Sequence, residues 1–258
     1  MKKLLYLFTA SLLVFTSCSK DDNDSSDPAS SILVKKITTV YNDGYSDIAN
    51  IEYNGNKIVS RIEKDGSSMK YTYTGDLIAR IDELDEDGKL NQTTDYNYVN
   101  GKLSTSVEKS ADANAVYYYK TKYTQNTDGT ISYDNYRGKI LTGIEEEYGT
   151  TGKYTYSGGN LVKLEVDYYG SDYSYVYEYD SKNNPAKNIL GLSLLLDEQD
   201  SSGNNVIKET YTSGSGANVR TNIKTYSYKY DANNYPTERL KTFQSGNSTS
   251  TETTLYGY

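Results

Sequence analysis

A short unit recurs along this chain: two tyrosines one residue apart, a tight turn of Gly, Asn or Asp, then an aliphatic residue. It reads Ile51-Glu52-Tyr53-Asn54-Gly55-Asn56-Lys57-Ile58, then Tyr71-Thr72-Tyr73-Thr74-Gly75-Asp76-Leu77. It returns as Tyr96-Asn97-Tyr98-Val99-Asn100-Gly101-Lys102-Leu103 and as Tyr154-Thr155-Tyr156-Ser157-Gly158-Gly159-Asn160-Leu161. Residues 177–185 and 228–236 share the variant Tyr-x-Tyr-Asp-x-x-Asn-x-Pro, and Lys122-Tyr123-Thr124-Gln125 fills one gap in the spacing. Positions i and i+2 of a strand share a face. Asn-Gly and Asp-Gly supply the two φ > 0 positions of a hairpin turn. Each unit therefore reads as a hairpin, and Asp43-Gly44, Asp65-Gly66, Asp87-Gly88 and Asp128-Gly129 read as the turns between units.

Sequential hairpins make neighbours in sequence neighbours in space. The expected fold is all-β: an antiparallel meander of about fifteen short strands forming a curled single sheet or open barrel over residues 32–258. One stretch, residues 188–196, is rich in aliphatics and follows Pro185. It reads as a short helix or plug over one open face, with a buried strand as the alternative, because periodicity does not separate them.

The chain has 30 Tyr, 3 Phe and no Trp, so tyrosine must build much of the core, its hydroxyls reaching a partner or water. Tyr173, Tyr175, Tyr177 and Tyr179 form one ladder, and Tyr226, Tyr228 and Tyr230 another. Tyr177, Tyr179, Tyr228 and Tyr230, next to the turns, are assigned to the core. Tyr173 and Tyr175 follow Gly170-Ser171-Asp172 and are the candidate ligand platform on an exposed rim.

Residues 1–17 read as a lipoprotein signal peptide. Lys2 and Lys3 precede a mostly apolar run over residues 4–15, which is short for a bilayer span. Phe15-Thr16-Ser17-Cys18 resembles a bacterial lipobox with Phe15 where a smaller aliphatic is usual, and this resemblance implies acylation of Cys18, the sole cysteine. Residues 18–31 are polar and acidic and read as a flexible tether. Lys20, Asp21 and Asp22 resemble the surface-export signal of Bacteroidota lipoproteins. The implied location is the outer membrane, lipid-anchored and cell-surface exposed, with a periplasm-facing anchor as second choice.

The repeats resemble YD (RHS-type) repeats, and more closely the YD-like β-sheet lipoproteins of the Bacteroidota. Tyr-Asp-x-x-Asn-x-Pro and Asn204-Asn205-Val206-Ile207-Lys208 carry the resemblance. It implies architecture and location and brings no catalytic residue.

Composition excludes several chemistries. With no His and one Cys, the chain has no Ser-His-Asp or Cys-His nucleophile system, no His-ligated metal and no internal disulfide. A net charge of −8 argues against nucleic acid as partner. Glu145-Glu146-Glu147 and the acidic run around Asp85 read as solvated strand edges and turns. The latter departs from a calcium loop at Thr94, where a bidentate Glu is needed. No cofactor is expected. Three function classes remain. The first is a non-enzymatic surface lipoprotein, joined to the membrane by its lipid, that binds a glycan or an envelope protein. The others are a carboxylate-dependent glycan hydrolase and an integral outer-membrane β-barrel.

Overall fold

The computed structural model describes residues 32–196, 202–214, 216–245 and 248–258; Cys18, Lys20, Asp21 and Asp22 lie outside them. The first eight strands are β1 (Lys36–Tyr41), β2 (Ser46–Asn54), β3 (Lys57–Glu63), β4 (Ser68–Thr74), β5 (Leu77–Leu84), β6 (Leu90–Val99), β7 (Lys102–Ser110) and β8 (Tyr117–Gln125). The rest are β9 (Ile131–Lys139), β10 (Glu145–Ser157), β11 (Asn160–Tyr168), β12 (Ser171–Tyr179), β13 (Val206–Ser213), β14 (Arg220–Tyr230), β15 (Pro236–Ser245) and β16 (Ser248–Gly257). Every strand pairs antiparallel with its neighbours in sequence. The sheet is not open: β1 pairs with β16, from Lys36 opposite Gly257 to Tyr41 opposite Glu252, and closes a barrel. Closure leaves no unpaired edge.

The repeated unit explains one end of this barrel. The turns at Gly55, Gly75, Asn100-Gly101 and Gly158-Gly159 all fall there, and Asn100 (φ 52°) with Gly101 (φ 74°) has the doubly positive conformation expected of a hairpin turn. In β2, β4, β6 and β12 the register shifts just before the second tyrosine of the unit, at Tyr53, Tyr73, Tyr98 and Tyr179. Beyond these bulges the next ladder has stopped, which strands a carbonyl or N–H. The tyrosine hydroxyl takes it. Tyr53 donates to Val34 O at 2.7 Å, Tyr98 to Ile78 O at 2.8 Å and Tyr179 to Leu161 O at 2.6 Å. Tyr228 donates to Val206 O at 2.7 Å and Tyr258 to Pro236 O at 2.9 Å. Tyr73 accepts from Ile58 N at 3.2 Å and donates to Leu190 O. A phenylalanine at these places would bury the ring and leave the backbone group unpaired. This is the physical reason for tyrosine in the repeat.

Residues 180–196 and 202–205, between β12 and β13, close the same end. The two Tyr-Asp-x-x-Asn-x-Pro copies lie side by side: Asn183 N donates to Asn234 O at 3.0 Å and Lys182 Nζ to Asn234 Oδ1 at 2.7 Å. Asp180 accepts from the Tyr230 hydroxyl and from the backbone and side chain of Asn205. The aliphatic stretch then enters the barrel as a plug, with a 3-10 turn at Leu192–Leu194 and no strand. Ile189 and Leu195 pack with Leu33, Val34, Ile51, Ile58, Ile78 and Ile81. Leu196 joins the second cluster, Leu103, Tyr123, Tyr133, Tyr154, Leu161 and Tyr177. The plug thus bridges both halves of the core. Gly191, at φ 77°, brings it against the β4–β5 turn so closely that an added Cβ would stand 2.8 Å from Asp76 O. Gly191→Ala therefore meets both a left-handed backbone and a backbone collision. An expected loss of about 2 kcal/mol or more is checked by urea unfolding.

The chain enters at this plugged end. Lys35 N donates to Gly257 O at 2.7 Å, and Asn188 Nδ2 holds Ile32 O at 3.0 Å. The opposite end, formed by the turns at Gly44, Gly66 and Gly88 and by residues 111–116, 140–144, 169–170 and 216–219, is the mouth. Asp128-Gly129, expected among those turns, belongs to the plugged end instead. It follows Tyr123 on β8 and is the turn of the degenerate unit itself.

Candidate functional site

Strand parity divides the residues of each strand between lumen and outer wall. Ile51, Tyr53, Ile81, Tyr133, Tyr154 and Tyr177 are core and face inward. Cross-strand register then carries the assignment round the barrel. Tyr177 stands opposite Glu209, Glu209 opposite Lys224, Tyr228 opposite Arg239, and Arg239 opposite Thr254. All of these face the lumen.

The outer wall of β5–β15 carries ion pairs on the alternate positions. Arg80 meets Asp95 at 2.7 Å with Lys109 at 3.3 Å, and Lys120 and Lys122 both meet Glu145, at 2.7 and 3.3 Å. Lys163 and Lys153 flank Glu165 at 2.7 and 3.4 Å; Lys208 meets Glu178 and Lys229 meets Glu238. The hydrogen bond from Lys120 keeps the Glu145 carboxyl below its ordinary range. Tyr118 lies across Gly138 on this wall, where an added Cβ would fall 2.0 Å from its ring, and donates to Glu145 at 3.1 Å.

The lumen is lined by tyrosine with a few charges. Nearest the mouth, Arg137 sits 4.9 Å from the Tyr117 ring and 4.8 Å from that of Tyr148, and is paired to Glu146 at 2.5 Å. Tyr119 lies 5.6 Å from Tyr148, and both rings stay exposed. Deeper, Tyr173 and Tyr175 are half-buried, with ring centroids 5.8 and 5.1 Å from Tyr211. Tyr177 stacks below Tyr175 and is buried. Beside it the Glu209 carboxylate, 2% exposed, takes Lys224 Nζ at 2.7 Å. Burial raises the phenols of Tyr177, Tyr226 and Tyr228 well above 10, and that of Tyr98 to about 12. These rings are therefore neutral hydrogen-bond donors at neutral pH.

Tyr173 and Tyr175 thus line the lumen between mouth and core, half-buried where Tyr177 is buried. Tyr211, their partner, was not singled out in the sequence; its signal is the alternation Glu209, Tyr211, Ser213 on one face. The Glu145-Glu146-Glu147 run is split by parity: Glu145 and Glu147 face out, and Glu146 faces in with Arg137. It does not present a facing carboxylate pair. Asp85 accepts the backbone N–H groups of Asp87 and Lys89, at 3.1 and 2.8 Å, and is engaged by its own turn. Among the described residues, no group of three or more His, Cys, Asp or Glu side chains is placed to hold a metal ion.

No family model matches the chain, and no curated protein does. Among solved structures, the fold is similar to a porin-like protein from Bacteroides uniformis, with a TM-score of 0.53 at 14% identity over 87% of this chain and 97% of that one. The likeness is one of fold: an all-β antiparallel meander closed into a barrel.

Proposed function

We propose that the chain is an outer-membrane lipoprotein, held through acylated Cys18 and displayed at the cell surface under the direction of Lys20, Asp21 and Asp22. Its barrel stands in water on the tether and binds without catalysis, taking a glycan or an envelope protein at the tyrosine-lined mouth. One observation carries this reading: ion pairs stud the outer wall of β5–β15, while the tyrosine ladders of β12 and β14 face the lumen. A membrane-spanning barrel reverses that arrangement, with an apolar outer band and aromatic girdles. A Lys or Arg facing lipid at the midplane costs about 2–4 kcal/mol, and this wall carries Arg80, Lys109, Lys120, Lys122, Lys153 and Lys163. Glycan is favoured as ligand because the exposed Tyr119 and Tyr148 rings offer apolar faces beside the Arg137 and Glu146 charges, which suits stacking on a sugar with hydrogen bonds at its rim.

A second reading, an integral outer-membrane barrel, draws on the fold likeness and on the sector from β14 round to β2. There the outward positions include Ile223, Leu240, Leu255, Thr242 and Thr253. Fractionation separates the two readings. Stable anchoring takes two or more acyl chains, so Cys18→Ala is expected to lose acyl labelling and move the folded barrel into the aqueous fraction. Retention of the unlabelled variant in the membrane overturns the tethered reading in favour of the spanning one. For topology, protease added to intact cells is expected to digest the wild type and to spare a variant with Lys20, Asp21 and Asp22 replaced by Ala. Protection of both places the wild type in the periplasm.

A further inference from the structure

Beneath the mouth, between the plug and the walls of β1–β5, β15 and β16, lies a cavity of about 200 Å³. Its walls are mostly aliphatic: Val34, Ile51, Ile58 and Ile81 from the barrel and Ile189 from the plug. Two charged residues line it, Arg61 and Arg239, and no carboxylate does. That is unexpected in a chain of net charge −8.

Each guanidinium is engaged by a carboxylate that lies outside the lining. Arg61 Nε donates to Glu63 Oε1 at 2.6 Å, one inward position nearer the mouth. Arg239 Nη2 meets Thr254 Oγ1 at 3.0 Å and Glu252 Oε1 at 3.3 Å, and Glu252 is likewise one inward position nearer the mouth than Thr254. The side chain of Arg61 is 38% exposed and that of Arg239 24%, so both heads are reached from the lumen while their stems lie against the aliphatic floor. The Arg61 bond to Glu63 uses Nε, and a guanidinium grips a carboxylate best through a fork of parallel N–H groups. An apolar cavity of about 150 Å³ is enough to take benzene, so this one accommodates a single ring or a short alkyl chain.

We infer that this chamber binds a small amphipathic monocarboxylate. Its ring or short chain lies against Ile51, Ile58, Ile81 and Ile189, and its carboxylate lies on Arg61, with Arg239 as the second cation. The chamber is separate from the mouth tyrosines, so the inference stands independently of the glycan reading.

The test is isothermal titration of phenylacetate and of hexanoate into the full-length Cys18→Ala protein, with uncharged phenylacetamide as control. At least one carboxylate is expected to bind, and phenylacetamide at least tenfold more weakly than phenylacetate. Arg61→Gln is expected to weaken carboxylate binding tenfold or more without moving the thermal midpoint by more than a few degrees. Arg239→Gln should do the same, and where it fails to fold, Arg61→Gln carries the test alone. Absence of binding by both acids at millimolar concentration overturns the inference. So does equal binding of the acid and its amide, or undiminished binding by a folded Arg61→Gln protein.

Discussion

Tyr177→Ala is expected to cost about 3–5 kcal/mol, the range for emptying a buried aromatic site. The ring is buried in the second core cluster, against Leu161, Tyr154 and Leu196, and stacks under Tyr175. The plug that supplies Leu196 to this cluster is itself held at Leu190 by Tyr73 and Asn56. For a domain of this size each kcal/mol lowers the midpoint by about 2–4 °C, so the loss is read as a drop of roughly 10 °C in a thermal melt. Tyr173→Ala is expected to cost a third of that or less. Its ring is half-buried and meets Tyr175 and Tyr211 by their edges and faces near the mouth. If Tyr173→Ala destabilises as much as Tyr177→Ala, the whole ladder is structural and the lumen tyrosines are not available to a ligand.

The second large effect concerns Lys224. Glu209 is a carboxylate in the lumen wall with 2% of its side chain exposed, and Lys224 Nζ at 2.7 Å is its cationic partner. The Tyr226 hydroxyl assists weakly at 3.4 Å. Removing the cation alone leaves a buried carboxylate uncompensated, which costs about 3–5 kcal/mol in fully buried pairs. The Lys224 side chain is 36% exposed, so the expected loss for Lys224→Met is at the low end, about 3 kcal/mol. Replacing both residues, Glu209→Leu with Lys224→Met, is expected to restore most of it, because two apolar groups demand no partner. Urea titration of the two single variants and the double one measures the coupling. A double variant no more stable than Lys224→Met would mean that the pair is not the source of the loss.

The meander and its turns were legible because their signals are local. Tyr at i and i+2 marks one strand face, and Asn100-Gly101 or Gly158-Gly159 marks one turn. The approximate number of strands, about fifteen expected against sixteen, and the core placement of Tyr177 follow from the same alternation. Closure was not legible. Nothing within β1 or β16 announces that Ile37 will stand opposite Tyr256, since the pairing joins the two ends of the domain and any edge of similar pattern would look alike. The destination of residues 188–196 had the same obstacle: an aliphatic run says that it will be buried, not beneath which wall. Asp128-Gly129 was misplaced because a turn dipeptide carries no information on which end of a barrel it occupies. The chamber with Arg61 and Arg239 escaped for a related reason. Each arginine is unremarked on its own strand, and only the closed register brings the two to one cavity. The lesser burial of Tyr173 and Tyr175 relative to Tyr177 is legible from the adjoining Gly170-Ser171-Asp172 turn; that their face lines a closed lumen is not, because it depends on closure.

The entry of the chain at the plugged end has a mechanical consequence. Under the proposed function, a barrel tethered through its N-terminal side is gripped by its base, at Ile32–Lys35, while a ligand captured at the mouth pulls on the other end. The load then runs lengthwise along β1. Its bonds to β2 and to β16, from Lys36 opposite Asn50 and Gly257 to Val40 opposite Ser46 and Thr253, lie across the direction of pull and share it in parallel. A strand loaded this way must shear two ladders at once instead of peeling one bond at a time, so closure of the barrel at β1 and β16 doubles the bonds that bear the load.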